Sequence, residues 1–109
     1  MIVINEEVKL KQLDDKISRK ILATGGVLMT AEVNFKKGGI GEPHSHDKNE
    51  QVSYIVSGSF KATIGGETKV LKKGDSYYVP LNVMHGVVAL EDSVILDVFT
   101  PMREDFLKG

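Results

Sequence analysis

Residues 27–35 alternate clearly between an apolar face and a mostly polar face, and this pattern constrains the fold more than any other feature of the sequence. The odd-numbered positions are all apolar, and they are Val27, Met29, Ala31, Val33 and Phe35. Such a period of two is typical of a strand with one buried face. Further short segments that suit strands occur at residues 2–4, 17–23, 50–57, 60–64, 68–72, 76–79, 86–90 and 94–99. No segment has a helical period, so the sequence predicts an all-β fold of about nine strands, forming a small antiparallel sandwich or barrel.

The length and the charge of the chain restrict the class of protein further. The 109 residues suffice for one hydrophobic core, and without a linker or repeat we interpret residues 1–109 as a single domain. Cysteine is absent, which excludes disulfides and cysteine-bound zinc. The net charge of -1 provides no field to attract nucleic acid or an anionic membrane. No apolar run is long enough to span a bilayer, and no signal peptide is recognisable, so we expect a cytoplasmic protein.

The three histidines of the chain suggest a single metal site. His44 and His46 are one residue apart, so in an extended segment their imidazoles lie on the same face. Gln51 follows a short turn later, and His85 lies in a later apolar segment. Neutral imidazoles are common ligands of divalent transition metals. If His85 reaches the same face, all three histidines contribute to one centre.

A carboxylate lies in the middle of the last predicted strand. Asp97 shares one face with Ile95 and Phe99, while the alternate positions are also apolar. Burying an unpaired charge is costly, so Asp97 needs a partner or a chemical role. The candidate partners are the metal centre, Arg103 and a hydroxyl group of a substrate.

The strand predicted over residues 50–57 is largely apolar on both faces. Ser53 and Ile55 lie on the side of Gln51, and Val52, Tyr54 and Val56 lie on the other side. An apolar outer face needs a cover. We therefore expect a homodimer, or alternatively an N-terminal segment that covers this face within one chain.

Two segments resemble the motifs of the cupin superfamily. In the first, five residues separate Gly38 from His44-Ser45-His46, and Gln51 and Gly58 follow. In the second, five residues separate Gly74 from Pro80, and the segment ends at His85. The resemblance implies a small β-barrel of jelly-roll type with a metal bound near one end. The implied ligands are His44, His46, Gln51 and His85. The chain departs from the usual pattern at Gln51, Asn82 and Ala89, where cupins usually have Glu, Gly and Asn, and Glu50 is an alternative ligand.

The C-terminal run over residues 90–106 is similar to the KdgF-like proteins, single-domain cupins of pectin and alginate breakdown. That resemblance implies conversion of cyclic 4,5-unsaturated uronate monosaccharides to linear 4-deoxy-5-keto uronates. It also implies one divalent ion, such as nickel, zinc, manganese or iron, and a small anionic sugar as substrate. The family's active-site residues correspond to Asp97, Phe99 and Arg103.

The chemistry of these residue types agrees with the implied reaction. A divalent metal with neutral ligands keeps its full charge and attracts a carboxylate or enolate oxygen. Arg103 is suited to clamp a carboxylate, Asp97 to transfer protons, and Phe99 to pack against a sugar. Other interpretations remain: Asp97 and Arg103 as a structural ion pair, and Phe99 as a core residue. At the level of function, the alternatives are a metal-dependent oxygenase and a non-catalytic cupin that binds a small acid or sugar.

Overall fold

The computed structural model describes residues 1–108, which form ten strands, one turn of 3-10 helix at Asn5–Glu7 and one short α-helix. The strands are β1 (Lys11–Gln12), β2 (Ile17–Gly25), β3 (Leu28–Phe35), β4 (Ile40–His44), β5 (Glu50–Ser57), β6 (Ser59–Ile64), β7 (Glu67–Lys72), β8 (Ser76–Val79), β9 (His85–Ala89) and β10 (Ser93–Thr100). The helix, α1, spans Glu104–Leu107. The predicted all-β fold is therefore confirmed.

The strands form two antiparallel sheets that pack face to face. The larger sheet has the order β1-β2-β3-β10-β5-β8, and the smaller sheet has the order β4-β9-β6-β7. The main core between them contains Ile17, Phe35, Ile55, Phe60, Ala62, Val87, Ala89 and Ile95. At its centre, the rings of Phe35 and Phe60 meet edge to face with their centroids 5.0 Å apart. The inward positions of β3 are those that the alternation of the sequence predicts, whereas for β5 and β10 only the structure shows which face is inside.

The strand predicted over residues 2–4 is wrong. The edge strand is instead β1, in which Lys11 and Gln12 pair with Arg19 and Ser18. A strand of two polar residues has no alternation of apolar and polar side chains. It is therefore defined by its pairing with β2 and could not be predicted from the sequence. The strand β4 was also absent from the predicted series.

None of the helices within residues 1–108 has the length and apolar character needed to cross a membrane.

Two turn positions have a backbone conformation that restricts the residue type. Gly58 has a φ of 78°, and a Cβ added there would overlap Ser93 Oγ. Asn82 has a φ of 63°, in the left-handed region where asparagine is the most tolerated residue after glycine. The departure from the usual cupin glycine at Asn82 is therefore conservative in conformation. The backbone N–H of Asn82 donates to the carbonyl oxygen of His46 at 2.7 Å, which joins the two histidine-bearing loops.

The outer face of β5 is exposed in the chain. Val52, Tyr54 and Val56 retain 46, 46 and 40% of their accessible surface. The N-terminal segment crosses the larger sheet elsewhere, because Asn5 Nδ2 donates to Glu32 Oε2 at 2.9 Å and Lys20 Nζ donates to Asn5 Oδ1 at 2.8 Å. The alternative in which this segment covers the face of β5 within one chain is therefore wrong.

Candidate metal centre

The three histidines converge at one end of the sandwich. His44 is the last residue of β4 and His85 is the first of β9, and the two are direct cross-strand partners. His46 lies beyond the end of β4, so a loop, and not a continuing strand, brings it back to His44. One ligand atom from each of the three side chains lies within 4.8 Å of the others. The predicted convergence of the histidines is confirmed.

In His44 and His85, hydrogen bonding occupies one ring nitrogen and leaves the other free for a metal. His44 Nδ1 lies 2.7 Å from the carbonyl oxygen of Glu42, and His85 Nδ1 lies 3.0 Å from that of Val83. A carbonyl oxygen can only accept, so both Nδ1 atoms carry the proton and both Nε2 atoms have a free lone pair. His85 Nε2 is buried and has no hydrogen-bond partner within residues 1–108. An orphaned buried lone pair facing two more imidazoles fits a divalent transition metal.

The electrostatic surroundings keep these imidazoles neutral. Burial, reinforced by the positive charge of Arg103 and by the other two histidines, lowers the pKa of His46 to about 4. Burial also lowers the pKa of His85. Because only a neutral imidazole binds a metal, both residues are ready for binding at neutral pH without losing a proton.

Gln51 lies on the inner face of β5 and is only 5% exposed. Its Nε2 donates to Ser53 Oγ at 2.8 Å and lies 3.4 Å from Asp97 Oδ1. The neighbouring Glu50 is exposed on the opposite face, where its carboxylate accepts a hydrogen bond from the hydroxyl of Tyr78. Glu50 as an alternative ligand is therefore wrong, because strand geometry directs it away from the histidines.

Asp97 lines the same cavity, and its partner is a residue that the sequence did not indicate. The hydroxyl of Ser53 donates to Asp97 Oδ1 at 2.6 Å. Burial raises the pKa of Asp97 to about 6, and the hydrogen bond from Ser53 and the charge of Arg103 oppose this rise only in part. Ser53 is directly opposite Asp97 in the register of β5 and β10, which only the strand pairing reveals.

Arg103 pairs with Asp105 and not with Asp97. Its Nε donates to Asp105 Oδ1 at 2.9 Å, and its Nη2 donates to Asp105 Oδ2 at 2.6 Å. Its Nη1 lies 3.3 Å from His46 Nε2. The interpretation of Asp97 and Arg103 as a structural ion pair is therefore wrong. Nη1 faces His46, and Nη1 and Nη2 each retain one further N–H group for an anion.

Aromatic rings support the Arg103 side of the cavity. Phe99 is 2% exposed, and its ring packs edge to face against His46 and Phe106, with centroids 6.1 and 5.5 Å away. The ring of Phe106 lies between two guanidinium groups, 3.8 Å from Arg19 Cζ and 4.1 Å from Arg103 Cζ. Neither Arg19 nor Phe106 was singled out from the sequence, because their contact depends on how α1 folds back onto β2.

These side chains surround one cavity of about 270 Å³. Its polar lining includes His44, Gln51, His85, Asp97 and Arg103, and the rest of the wall is mostly apolar. A cavity at the lower end of the usual range for ligand pockets suits a small molecule and not a polymer.

Comparisons with known proteins agree with this architecture. The family model described as "Cupin domain" matches residues 31–99, and the chain therefore belongs to the cupin family. Within that family it is 48% identical over 105 residues to the pectin degradation protein KdgF of Dickeya dadantii, covering 95% of this chain and 96% of that protein. The chain is thus a homologue of a pectin degradation protein.

Two solved structures have nearly the same backbone. The structure of KdgF from a Halomonas species superposes with a TM-score of 0.94 at 39% identity and covers 97% of both chains. An RmlC-like cupin from Shewanella frigidimarina superposes with a TM-score of 0.92 at 36% identity, covering 96% of this chain and 94% of that chain.

Proposed function

We propose that this protein opens the ring of cyclic 4,5-unsaturated uronate monosaccharides and yields linear 4-deoxy-5-keto uronates, with the help of one divalent metal ion. The similarity to KdgF supports a role in the breakdown of pectin or a related polyuronate. The observation that carries the proposal is the composition of the cavity. His44 and His85 of the three-histidine cluster, the guanidinium of Arg103 and a half-buried carboxyl with a pKa of about 6 line one monosaccharide-sized space.

The proposed reaction transfers protons and breaks one carbon–oxygen bond. Asp97 removes the proton of the anomeric hydroxyl, the C1–O bond of the ring breaks, and C1 becomes an aldehyde. The ring oxygen leaves as an enolate on C5, and protonation at C4 gives the 5-keto product. One proton is removed and one is added, so the reaction is an isomerisation. A carboxyl with a pKa of about 6 is matched to both transfers near neutral pH.

The other residues bind and orient the substrate. His44, His46, His85 and Gln51 would hold the metal, which supplies positive charge for the substrate carboxylate and the developing enolate. The Nη1 and Nη2 edge of Arg103 would bind the same carboxylate. Phe99 contributes to the apolar wall of the cavity and supports His46 and Phe106 by edge-on packing.

The first experiment follows the consumption of an unsaturated uronate monosaccharide by NMR, with and without the metal-loaded protein. We expect strong acceleration that disappears when a chelator removes the metal. We also expect Asp97→Asn to reduce kcat about 100- to 10,000-fold, as for the loss of a general acid–base, while the metal remains bound.

The same experiment separates the alternative functions. An isomerase consumes no dioxygen, whereas an oxygenase does, so an oxygen electrode is read in parallel. A binding protein would leave the uronate unchanged in all samples. Absence of acceleration with a metal-loaded sample, or full activity of Asp97→Asn, would contradict the proposal.

We also propose that two copies of the chain associate through the outer face of β5 and β10. This face presents Val52, Tyr54 and Val56, and next to them the half-buried Leu96 and Val98. These five side chains carry no charge, so a second copy can meet the same surface without like-charge repulsion. A contiguous apolar patch of this kind is typical of an interface.

Sedimentation equilibrium tests this homodimer. We expect a dimer for the wild type and a monomer for Tyr54→Lys, because the substitution places two charges against an apolar surface. Val70→Lys is the matched control, since Val70 is 59% exposed on β7 of the other sheet. A monomeric wild type, or dissociation by the control alone, would contradict the proposal.

A further inference from the structure

Ser53 lies at the junction between the candidate metal ligand and the candidate acid–base group. It is completely buried on the inner face of β5, two residues after Gln51 and directly opposite Asp97 on β10. Its hydroxyl accepts a hydrogen bond from Gln51 Nε2 at 2.8 Å and donates to Asp97 Oδ1 at 2.6 Å. Nothing in the similarity to known cupins assigns a role to this serine.

The direction of this short hydrogen-bond chain is fixed by chemistry. An ionised carboxylate can only accept, so the single proton of the Ser53 hydroxyl is directed to Asp97. The hydroxyl oxygen can then only accept from Gln51, and the group that donates to it must be the amide nitrogen. Nε2 of Gln51 is also the atom that faces Asp97 Oδ1, at 3.4 Å.

This order determines which end of the Gln51 amide faces the cavity. With Nε2 bound to Ser53, Oε1 is left for the cavity that His44 and His85 also line. The amide nitrogen has no lone pair for a metal, so only this orientation makes Gln51 a ligand. An inverted amide would place its carbonyl oxygen against Ser53 Oγ and Asp97 Oδ1, and the single proton of the Ser53 hydroxyl would then have to serve two buried acceptors.

The same hydroxyl also distinguishes the two oxygens of Asp97. Oδ1 is occupied by Ser53, whereas Oδ2 makes no hydrogen bond to a side chain or backbone group within residues 1–108. The half-buried carboxyl lines the cavity. Oδ2 is therefore the oxygen that is free to take up and release a proton.

We propose that Ser53 is a positioning residue that holds the Gln51 amide with its oxygen toward the metal and leaves Asp97 Oδ2 free for proton transfer. The inference rests on the proposed function, because it takes Gln51 as a metal ligand and Asp97 as the acid–base group. Ser53 is not among the residues that line the cavity. Its hydroxyl connects the candidate metal ligand Gln51 to the candidate acid–base group Asp97 through two hydrogen bonds.

A double-mutant cycle tests the orienting role separately from turnover. The dissociation constant of Zn²⁺ is measured, by competition with a chromophoric chelator, for the wild type, Ser53→Ala, Gln51→Glu and the double variant. A carboxylate has two equivalent oxygens, so the Gln51→Glu side chain needs no partner to select its ligand atom. We expect Ser53→Ala to weaken Zn²⁺ binding about 10- to 100-fold in the wild-type background, the usual effect of losing an outer-shell partner. In the Gln51→Glu background, we expect less than a threefold effect.

Ser93→Ala is the matched control for loss of a buried serine hydroxyl. Ser93 is 3% exposed and bonds to the backbone oxygens of Ser59 and Glu91, away from the histidines. This variant should bind Zn²⁺ as the wild type does, and circular dichroism of the metal-free proteins checks that all variants fold. An equal effect of Ser53→Ala in both backgrounds, or no effect in either, would overturn the inference. Because the cycle measures metal binding alone, a protein that binds Zn²⁺ as expected but leaves the uronate intact would refute the proposed reaction and not the role of Ser53.

Discussion

The histidine side and the Arg103 side of the cavity are held in place by different kinds of interaction. His44 and His85 are cross-strand partners in the ladder of β4 and β9, and Gln51 belongs to β5, which pairs with β10 and β8 in the larger sheet. Arg103 follows the last strand and is held by Asp105 and by the ring of Phe106. Backbone ladders position His44, His85 and Gln51, whereas side-chain contacts position the candidate anion clamp.

This difference separates two tasks within one small cavity. A metal site requires fixed distances between ligand atoms, which paired strands provide. An anion clamp has to admit and release substrate, and a short segment held by stacking can adjust at low cost. Substitutions on the two sides should therefore divide into those that remove the metal and those that leave it bound.

The largest effect is expected for His85→Ala. The substitution removes a ligand with a buried, unshared Nε2 but leaves the pairing of β9 intact. We expect Zn²⁺ affinity to fall by more than the roughly 10- to 100-fold typical of outer-shell losses, together with loss of turnover. Chelator competition measures the affinity, and unaltered binding would exclude His85 as a ligand.

Arg103→Met should reduce turnover and spare the metal. The variant loses the N–H groups that face the histidines, and each charge-assisted hydrogen bond contributes about 1.5–3 kcal/mol. With two such bonds to a substrate carboxylate, kcat/KM should fall at least about 100-fold at unchanged Zn²⁺ affinity. Loss of Zn²⁺ in parallel with activity would show that the two sides are not independent.

The pH dependence of the stability of the metal-free protein should reveal two groups on the histidine side whose contributions change in opposite directions. The pKa of Asp97 is raised to about 6, so its contribution to stability is full below its unfolded pKa of 3.8 and is lost as pH rises through 6. The pKa of His46 is lowered to about 4, so its contribution is full above 6.5 and is lost as pH falls toward 4. The two contributions offset each other between pH 4 and 6.5.

Asp97→Asn removes one of these groups and leaves the other. We expect the free energy of unfolding of this variant to fall more steeply on acidification than that of the wild type. The difference is at most about 3 kcal/mol, since one unit of pKa shift corresponds to about 1.4 kcal/mol. Urea unfolding with a chelator at pH 7 and pH 4.5 measures it, and parallel pH profiles would contradict the assignment.

The smallest effect is expected for Phe106→Leu. This substitution removes the ring between Arg19 and Arg103, and stacking of a guanidinium on a ring contributes about 0.5–2 kcal/mol. We expect kcat/KM to fall about 10-fold with no change in Zn²⁺ affinity. Leu107→Ala is the control, because Leu107 is 53% exposed on the same helical turn and should have no effect. A loss of metal in Phe106→Leu would remove the distinction between the two sides.

The sequence predicted the features that follow from local pattern. Alternation assigned the inner face of β3, and Gly65-Gly66 located the hairpin between β6 and β7. The three histidines and their convergence were also predictable, because residue types and spacing carry that information. Asn82 departs from the usual motif only in residue type, since its φ of 63° suits both asparagine and glycine.

The features that escaped prediction depend on pairing between distant segments. Ser53 meets Asp97 only because β5 and β10 pair in that register, and no local pattern fixes a register. The bidentate contact of Arg103 with Asp105 depends on the short turn of α1, which has no helical periodicity of its own. The strand β1 is recognised only by its pairing with β2, which the sequence does not reveal.

The position of β10 in the larger sheet has a consequence for synthesis on the ribosome. The order β1-β2-β3-β10-β5-β8 makes this last strand the link between two groups of strands that are translated before it. Until it emerges, β3 and β5 each have an open edge, and open edges are where nascent chains pair with other molecules. The strand that closes the sheet also brings Asp97 to Ser53, so the same pairing covers the open edges and completes the candidate site.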